Sequence, residues 1–177
     1  EGKSIRSFRV EAEFDAPIET VARVQGDVDN YIKWYFEVLE VKLLRKVSDR
    51  EYIFYMVHDA PVGMPDRDVV LNVSIQPYSE KNPLLLISYQ AVPDYLPTVA
   101  KVVRIPVWNV TTMIKPIDTQ QTQEITMGYA ESGEGGIPIW LINFFQRQAP
   151  YTNSLARGRD LKTYQLDSKN CDFKYKE

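Results

Sequence analysis

At 177 residues and 44% apolar, the chain can build one sizeable core and is short for two. Its 21 basic and 24 acidic residues leave a formal charge of -3 and form no run of one sign, which excludes the electrostatic footprint of a nucleic-acid-binding protein. No window approaches the roughly 20 apolar residues of a membrane-spanning helix; the most apolar is IPIWLINFF at 137–145.

In IRSFRVEAEF (5–14), Phe8, Val10, Ala12 and Phe14 alternate with Ser7, Arg9, Glu11 and Glu13, the pattern of a strand with one wet face. Asp15 and Pro17 mark a helix start, and Ile18, Val21, Ala22 and Val24 recur at helical spacing until Gly26. A second short helix is predicted near VDNYIKWYF (28–36). Three strands follow: VLEVKLLRKV (38–47), REYIFYMVHDA (50–60) and RDVVLNVSIQP (67–77). Then come LLLISYQA (84–91), a proline-marked loop VPDYLPTVAK (92–101), one long strand VVRIPVWNVTTMIKPI (102–117) and a last strand near QTQEITMGYA (121–130), about seven strands in all.

After ESGEGG (131–136) the period changes to about 3.6, with Pro138 in the first turn and Ile139, Ile142, Phe145 and Ala149 on one stripe. This predicts a long C-terminal helix to about Tyr164, kinked or broken at Pro150. The tail DSKNCDFKYKE has no periodicity and is expected to fray. A single domain over 1–177 results, its ordered core at about 5–165 and a tail at 166–177. The order of elements is α+β: an antiparallel sheet curled around a closing helix, a shape that leaves an internal cavity for an apolar molecule.

One cysteine, Cys171, excludes an internal disulfide and a Cys-rich zinc site, and one histidine excludes a multi-histidine metal cluster. Cys171 reads as an inert tail thiol. No metal or cofactor is expected. The chain starts at Glu1 rather than at methionine, so a removed signal peptide, domain or tag stays open. The compartment stays open with it: a soluble chain, cytoplasmic, or periplasmic or secreted if a signal was cleaved.

Three motifs in order, DAPVGMPDRDVV (59–70), VPDYLPTVAKVVRIP (92–106) and GGIPIWLINFFQRQAPY (135–151), resemble the START family of lipid-transfer domains, in a bacterial type of member. The resemblance runs from about Ile5 to Asp160. It implies the helix-grip, or Bet v 1-like, fold and a lipid-binding cavity. It also implies that the 92–101 loop covers the cavity, with Tyr95 and Leu96 as a gate, and that the arginine and aspartate of PDRD belong to the architecture or the cavity wall.

Alternation and helical spacing nominate Phe54, Met56, Tyr89, Trp108, Met127 and Phe145 around the ligand, with Trp140 on the same helix. His58, on the face of Tyr52, Phe54 and Met56, fits either a ligand headgroup contact or general base, or a backbone hydrogen bond at a strand end. Arg67, between Asp66 and Asp68, fits a bidentate pair with a neighbouring carboxylate or a ligand contact. Arg104 fits a phosphate or carboxylate headgroup, or an outward charge. The leading expectation is a non-catalytic, monomeric carrier of a lipid or other apolar molecule, meeting a membrane surface transiently. The alternative is a cyclase or hydrolase on the same fold using His58, Asp66 or Glu37.

Overall fold

The computed structural model describes residues 5–134, 136–167 and 173–177. Strand β1 (Phe8–Phe14) buries Phe14 and half-buries Phe8, Val10 and Ala12 while its charged residues face water. Helix α1 (Ile18–Gly26) starts behind Pro17 and buries Ile18, Val21, Ala22 and Val24, as its 3.6 spacing requires. A 3-10 helix at Val28–Lys33 follows. It presents Tyr31 to the core and leads into Trp34, Tyr35 and Phe36.

The sheet continues with β2 (Val38–Ser48), β3 (Glu51–His58), β4 (Arg67–Gln76), β5 (Leu85–Ala91), β6 (Val103–Arg104), β7 (Trp108–Pro116) and β8 (Thr122–Ala130). Its order is β1-β8-β7-β5-β4-β3-β2, antiparallel along that path, with β6 beside β4 in parallel. β2 shifts register against β3 at three places. β8 can lie close to β7 because residue 128 is glycine: a Cβ there would stand 2.6 Å from the Asn109 carbonyl oxygen.

Two predicted elements change. The single strand at 102–117 is instead β6 and β7, separated at Ile105–Val107. Pro106 has no N–H to continue a ladder, and β6 leaves to pair with β4. The tail is not frayed where it is described. Phe173 stacks on Tyr52 with centroids 4.4 Å apart, Tyr175 is buried, and the Tyr78 N–H donates to the Tyr175 carbonyl at 2.9 Å. Cys171 lies outside the described residues.

Helix α2 (Ile139–Asp167) runs through Pro150 without a break. The Ser154 hydroxyl donates to the Pro150 carbonyl at 3.1 Å, supporting the turn around it. Ile142 is buried, whereas Ile139, the first residue of the predicted stripe, stands exposed at the helix end. The helix is tied down at Phe36, whose N–H donates to Asn153 Oδ1 at 2.7 Å, and at Arg6, whose N–H donates to Asn143 Oδ1 at 2.8 Å. Among the described residues no helix is long and apolar enough to cross a membrane.

Candidate functional site

Between α2 and the sheet lies a cavity of about 490 Å³. Its wall is mostly aromatic and aliphatic: Tyr31, Trp34, Tyr35 and Phe36 from the 3-10 segment, Phe54, Leu71 and Tyr89 from the sheet, Trp108 and Val110 from β7, and Ile142, Phe145 and Ala149 from α2. Alternation in β3 and β4 dictates that Phe54 and Leu71, paired across the ladder, share this face. Asp59 and Val62 also line it and are exposed, so the cavity opens to solvent beside the 59–66 connection. Glu37, at the same mouth, holds a left-handed backbone (φ 49°) while its carbonyl accepts the Asp59 N–H at 2.8 Å.

The opposite end is closed and charged. Arg157 of α2 is only 4% exposed and forks onto Glu124 of β8: Nη1 donates to Oε2 at 2.8 Å and Nη2 donates to Oε1. The Glu124 carboxylate also accepts from Gln25 Nε2 at 2.9 Å and Thr126 Oγ1 at 3.3 Å. Tyr89 donates to Gln25 Oε1 at 3.2 Å, and the Tyr31 hydroxyl to the Gln25 carbonyl. Burial opposes the charge on Arg157, but the Glu124 charge and hydrogen bonds outweigh it and hold its pKa above the ordinary arginine value. The guanidinium carbon lies 5.2 Å from the Trp34 ring centre and 5.4 Å from that of Phe14, cation–π distances.

His58 stands towards the open end. Its ring stacks on Trp108 (5.9 Å, 17°) and lies 6.0 Å from Tyr35. Burial lowers its pKa to about 4, against a smaller opposing effect of its hydrogen bond to the Phe36 backbone, so the imidazole is neutral at pH 7. Tyr35 is pushed up to about 12, chiefly by burial, with Arg157 acting the other way.

Of the predicted site residues, Phe54, His58, Arg67, Tyr89, Trp108 and Phe145 line this cavity. Met56, Arg104, Met127 and Trp140 do not. Met56 is fully buried in the core beside Val69, its partner across the ladder. Met127 lies one residue out of phase: Thr126 and Glu124 take the inner face of β8, so Met127 takes the outer one. Trp140, 64% exposed, is on the outer side of α2.

Arg104 is neither a headgroup ligand nor an outward charge. Its Nε and Nη2 donate to both Asp68 oxygens at 2.8 and 2.9 Å, and its other donors reach the carbonyls of Pro93, Leu96 and Pro97. It therefore fastens the 92–101 loop to β4. Tyr95 and Leu96 are not among the residues that line the cavity, and Tyr95 is 41% exposed. The bidentate grip on a carboxylate that the structure shows here is that of Arg104 on Asp68. Arg67 donates to the Pro65 carbonyl, while Asp66 Oδ1 accepts the Ala60 N–H at 3.2 Å and braces the connection.

Glu124, Arg157, Gln25, Trp34 and Gln146 were not anticipated, although two of them left a signal. Continuing the α2 stripe by fours from Ala149 reaches Asn153 and Arg157, and Glu124 sits between Thr122 and Thr126 on one face of β8.

No family model matches the sequence. An uncharacterized protein of Pseudomonas aeruginosa is 26% identical over 150 residues, 85% of this chain and 72% of the relative. A STAR-related lipid transfer protein from Xanthomonas axonopodis matches with TM-score 0.81 and 29% identity, covering 92% of this chain and 89% of that one. A Streptomyces aromatase/cyclase, Zhui, shares the fold at TM-score 0.63 and 14% identity over 93% of this chain and 96% of that one. Joined to the sheet order and the long C-terminal helix laid against it, the first of these structural likenesses identifies the chain as a START-like domain of the α+β helix-grip fold.

Proposed function

We propose that this domain binds a lipid or other apolar small molecule in the cavity between α2 and the sheet and carries it without chemical change. The observation that carries the reading is the cavity itself: about 490 Å³, walled by aromatic and aliphatic side chains and open at one end, within the range of small-molecule sites. Enclosing roughly 300 Å² of apolar ligand surface at about 25 cal/mol per Å² supplies on the order of 7 kcal/mol before ordering costs. The likeness to a STAR-related lipid transfer protein supports the same reading.

A carrier must also meet the surface that supplies its cargo. Trp140, Phe144, Tyr151 and Leu155, all about half exposed, stand at helical positions within about 60° of one another on the outer side of α2. This stripe suits transient contact with a lipid surface. Mass spectrometry of the purified chain, native and after solvent extraction, tests the carrier reading. An intact apolar molecule released in stoichiometric amount is expected. No released molecule, together with no saturable uptake of a neutral naphthalene fluorophore, would sink the reading.

A further inference from the structure

Trp34 Nε1, His58 Nε2, Gln146 Oε1 and Arg157 Nε are buried polar atoms on cavity-lining side chains with no hydrogen-bond partner among the described residues. Buried polar groups in folded proteins are ordinarily partnered, so these atoms, spread over the two ends of one cavity, point to what the cavity receives. They are sorted by type.

Trp34 Nε1 and Arg157 Nε are donors, and they belong together because the guanidinium sits over the Trp34 ring at 5.2 Å. Arg157 spends Nη1 and Nη2 on Glu124, which leaves Nε as the unspent edge of an already neutralised cation. That edge suits a neutral carbonyl or ester oxygen; a carboxylate or phosphate would bring a second negative charge beside Glu124.

Gln146 Oε1 and His58 Nε2 are acceptors. Gln146 Nε2 donates to the Ala130 carbonyl at 3.1 Å, which fixes the amide with Oε1 unpaired. Ala130 pairs with Trp108, and His58 stacks on Trp108, so these two acceptors share one end of the cavity. The imidazole bond to the Phe36 backbone falls to Nδ1, because Nε2 has no partner, and the neutral ring then offers the Nε2 lone pair. Gln146 and Arg157 are eleven residues apart on α2, about 16 Å at 1.5 Å per residue.

Resting on the carrier reading above, we propose that the ligand is a neutral, elongated apolar molecule with a carbonyl-type acceptor at the Arg157 end and a hydroxyl donor at the His58 end. The volume agrees. At about 490 Å³ the cavity is of small-molecule size, with room for one chain or a compact ring system.

The test is competition against a neutral naphthalene fluorophore by four probes of one chain length: methyl 14-hydroxytetradecanoate, methyl tetradecanoate, tetradecanol and 14-hydroxytetradecanoic acid. The hydroxy ester should bind about tenfold tighter than the plain ester or the plain alcohol, the gain of one further hydrogen bond, and tighter than the ionised hydroxy acid at pH 7. His58→Phe keeps a ring against Trp108 and should erase the advantage of the hydroxy ester over the plain ester. Equal binding of the two esters, or tighter binding of the acid, overturns the proposal and leaves the carrier reading standing. Failure of every probe and of the fluorophore overturns both.

Discussion

Replacing Glu124 by leucine would leave Arg157 buried and unopposed at the closed end of the cavity. Glu124 is 1% exposed and accepts both guanidinium Nη donors and the Gln25 amide. Stranding a buried cation costs about 3–5 kcal/mol, and stranding Gln25 Nε2 adds about 1 kcal/mol. For a chain of this size, 1 kcal/mol moves Tm by about 2–4 °C, so Glu124→Leu should melt about 8–24 °C below the parent. The double variant Glu124→Leu/Arg157→Met removes the charge instead of stranding it, and should recover most of the loss. Urea unfolding followed by far-UV circular dichroism at about 15 °C, near the usual stability maximum, gives the four corners of the cycle. A Glu124→Leu variant within ~1 kcal/mol of the parent, or single losses that simply add in the double variant, would refute the assignment of the pair as one buried unit.

The neutral His58 gives a pH signature. Its folded pKa, about 4, lies below its ordinary 6.5, so the unfolded chain takes the proton first, and stability present above pH 6.5 is lost as pH falls towards 4, by about 3 kcal/mol. Unfolding curves between pH 7 and 4 should fall less steeply for His58→Phe than for the parent, and parallel curves would refute the point. Arg104→Ala should strand the buried Asp68 carboxylate, cost about 3 kcal/mol, and raise amide exchange across 92–101; unchanged exchange there would show that Arg104 does not hold the loop. Deleting 173–177 removes the ring stacked on Tyr52 and the buried Tyr175, and should cost about 2–4 kcal/mol in chemical unfolding; a deletion without cost would return this segment to a frayed end.

The elements that the sequence announces are those where burial follows polarity. β1 and α1 wrote their buried faces as apolar residues at spacings of two and of three to four, and both formed where the spacing ends. β8 inverts the rule. Its inner face carries Thr122, Glu124 and Thr126 because they serve an interior network, so choosing the apolar Met127 as the inward residue selects the wrong phase. The break between β6 and β7 is hidden by the apolar run around Pro106, although the proline was a stop signal. Arg104 could not be assigned from the chain alone, since the carboxylate it needs is 36 residues away and the three carbonyls it gathers belong to the preceding loop. The docked end at Phe173 and Tyr175 is two aromatic residues without a period, and only the groove beside Tyr52 and Tyr78 gives them a place.

The register shifts in β2 bear on how the protein survives crowding. Among the described strands β2 ends the sheet, eleven residues long, and it exposes Leu39, Leu43 and Val47. A long straight edge with such side chains would be a template for a strand of another molecule. Three irregularities within those eleven residues bend and twist the outer row of N–H and C=O groups, and Glu40, Lys42, Arg45 and Lys46 place charge along it. An incoming chain would meet no continuous run of evenly spaced partners, so the edge that closes one side of the ligand-holding sheet also discourages that sheet from growing.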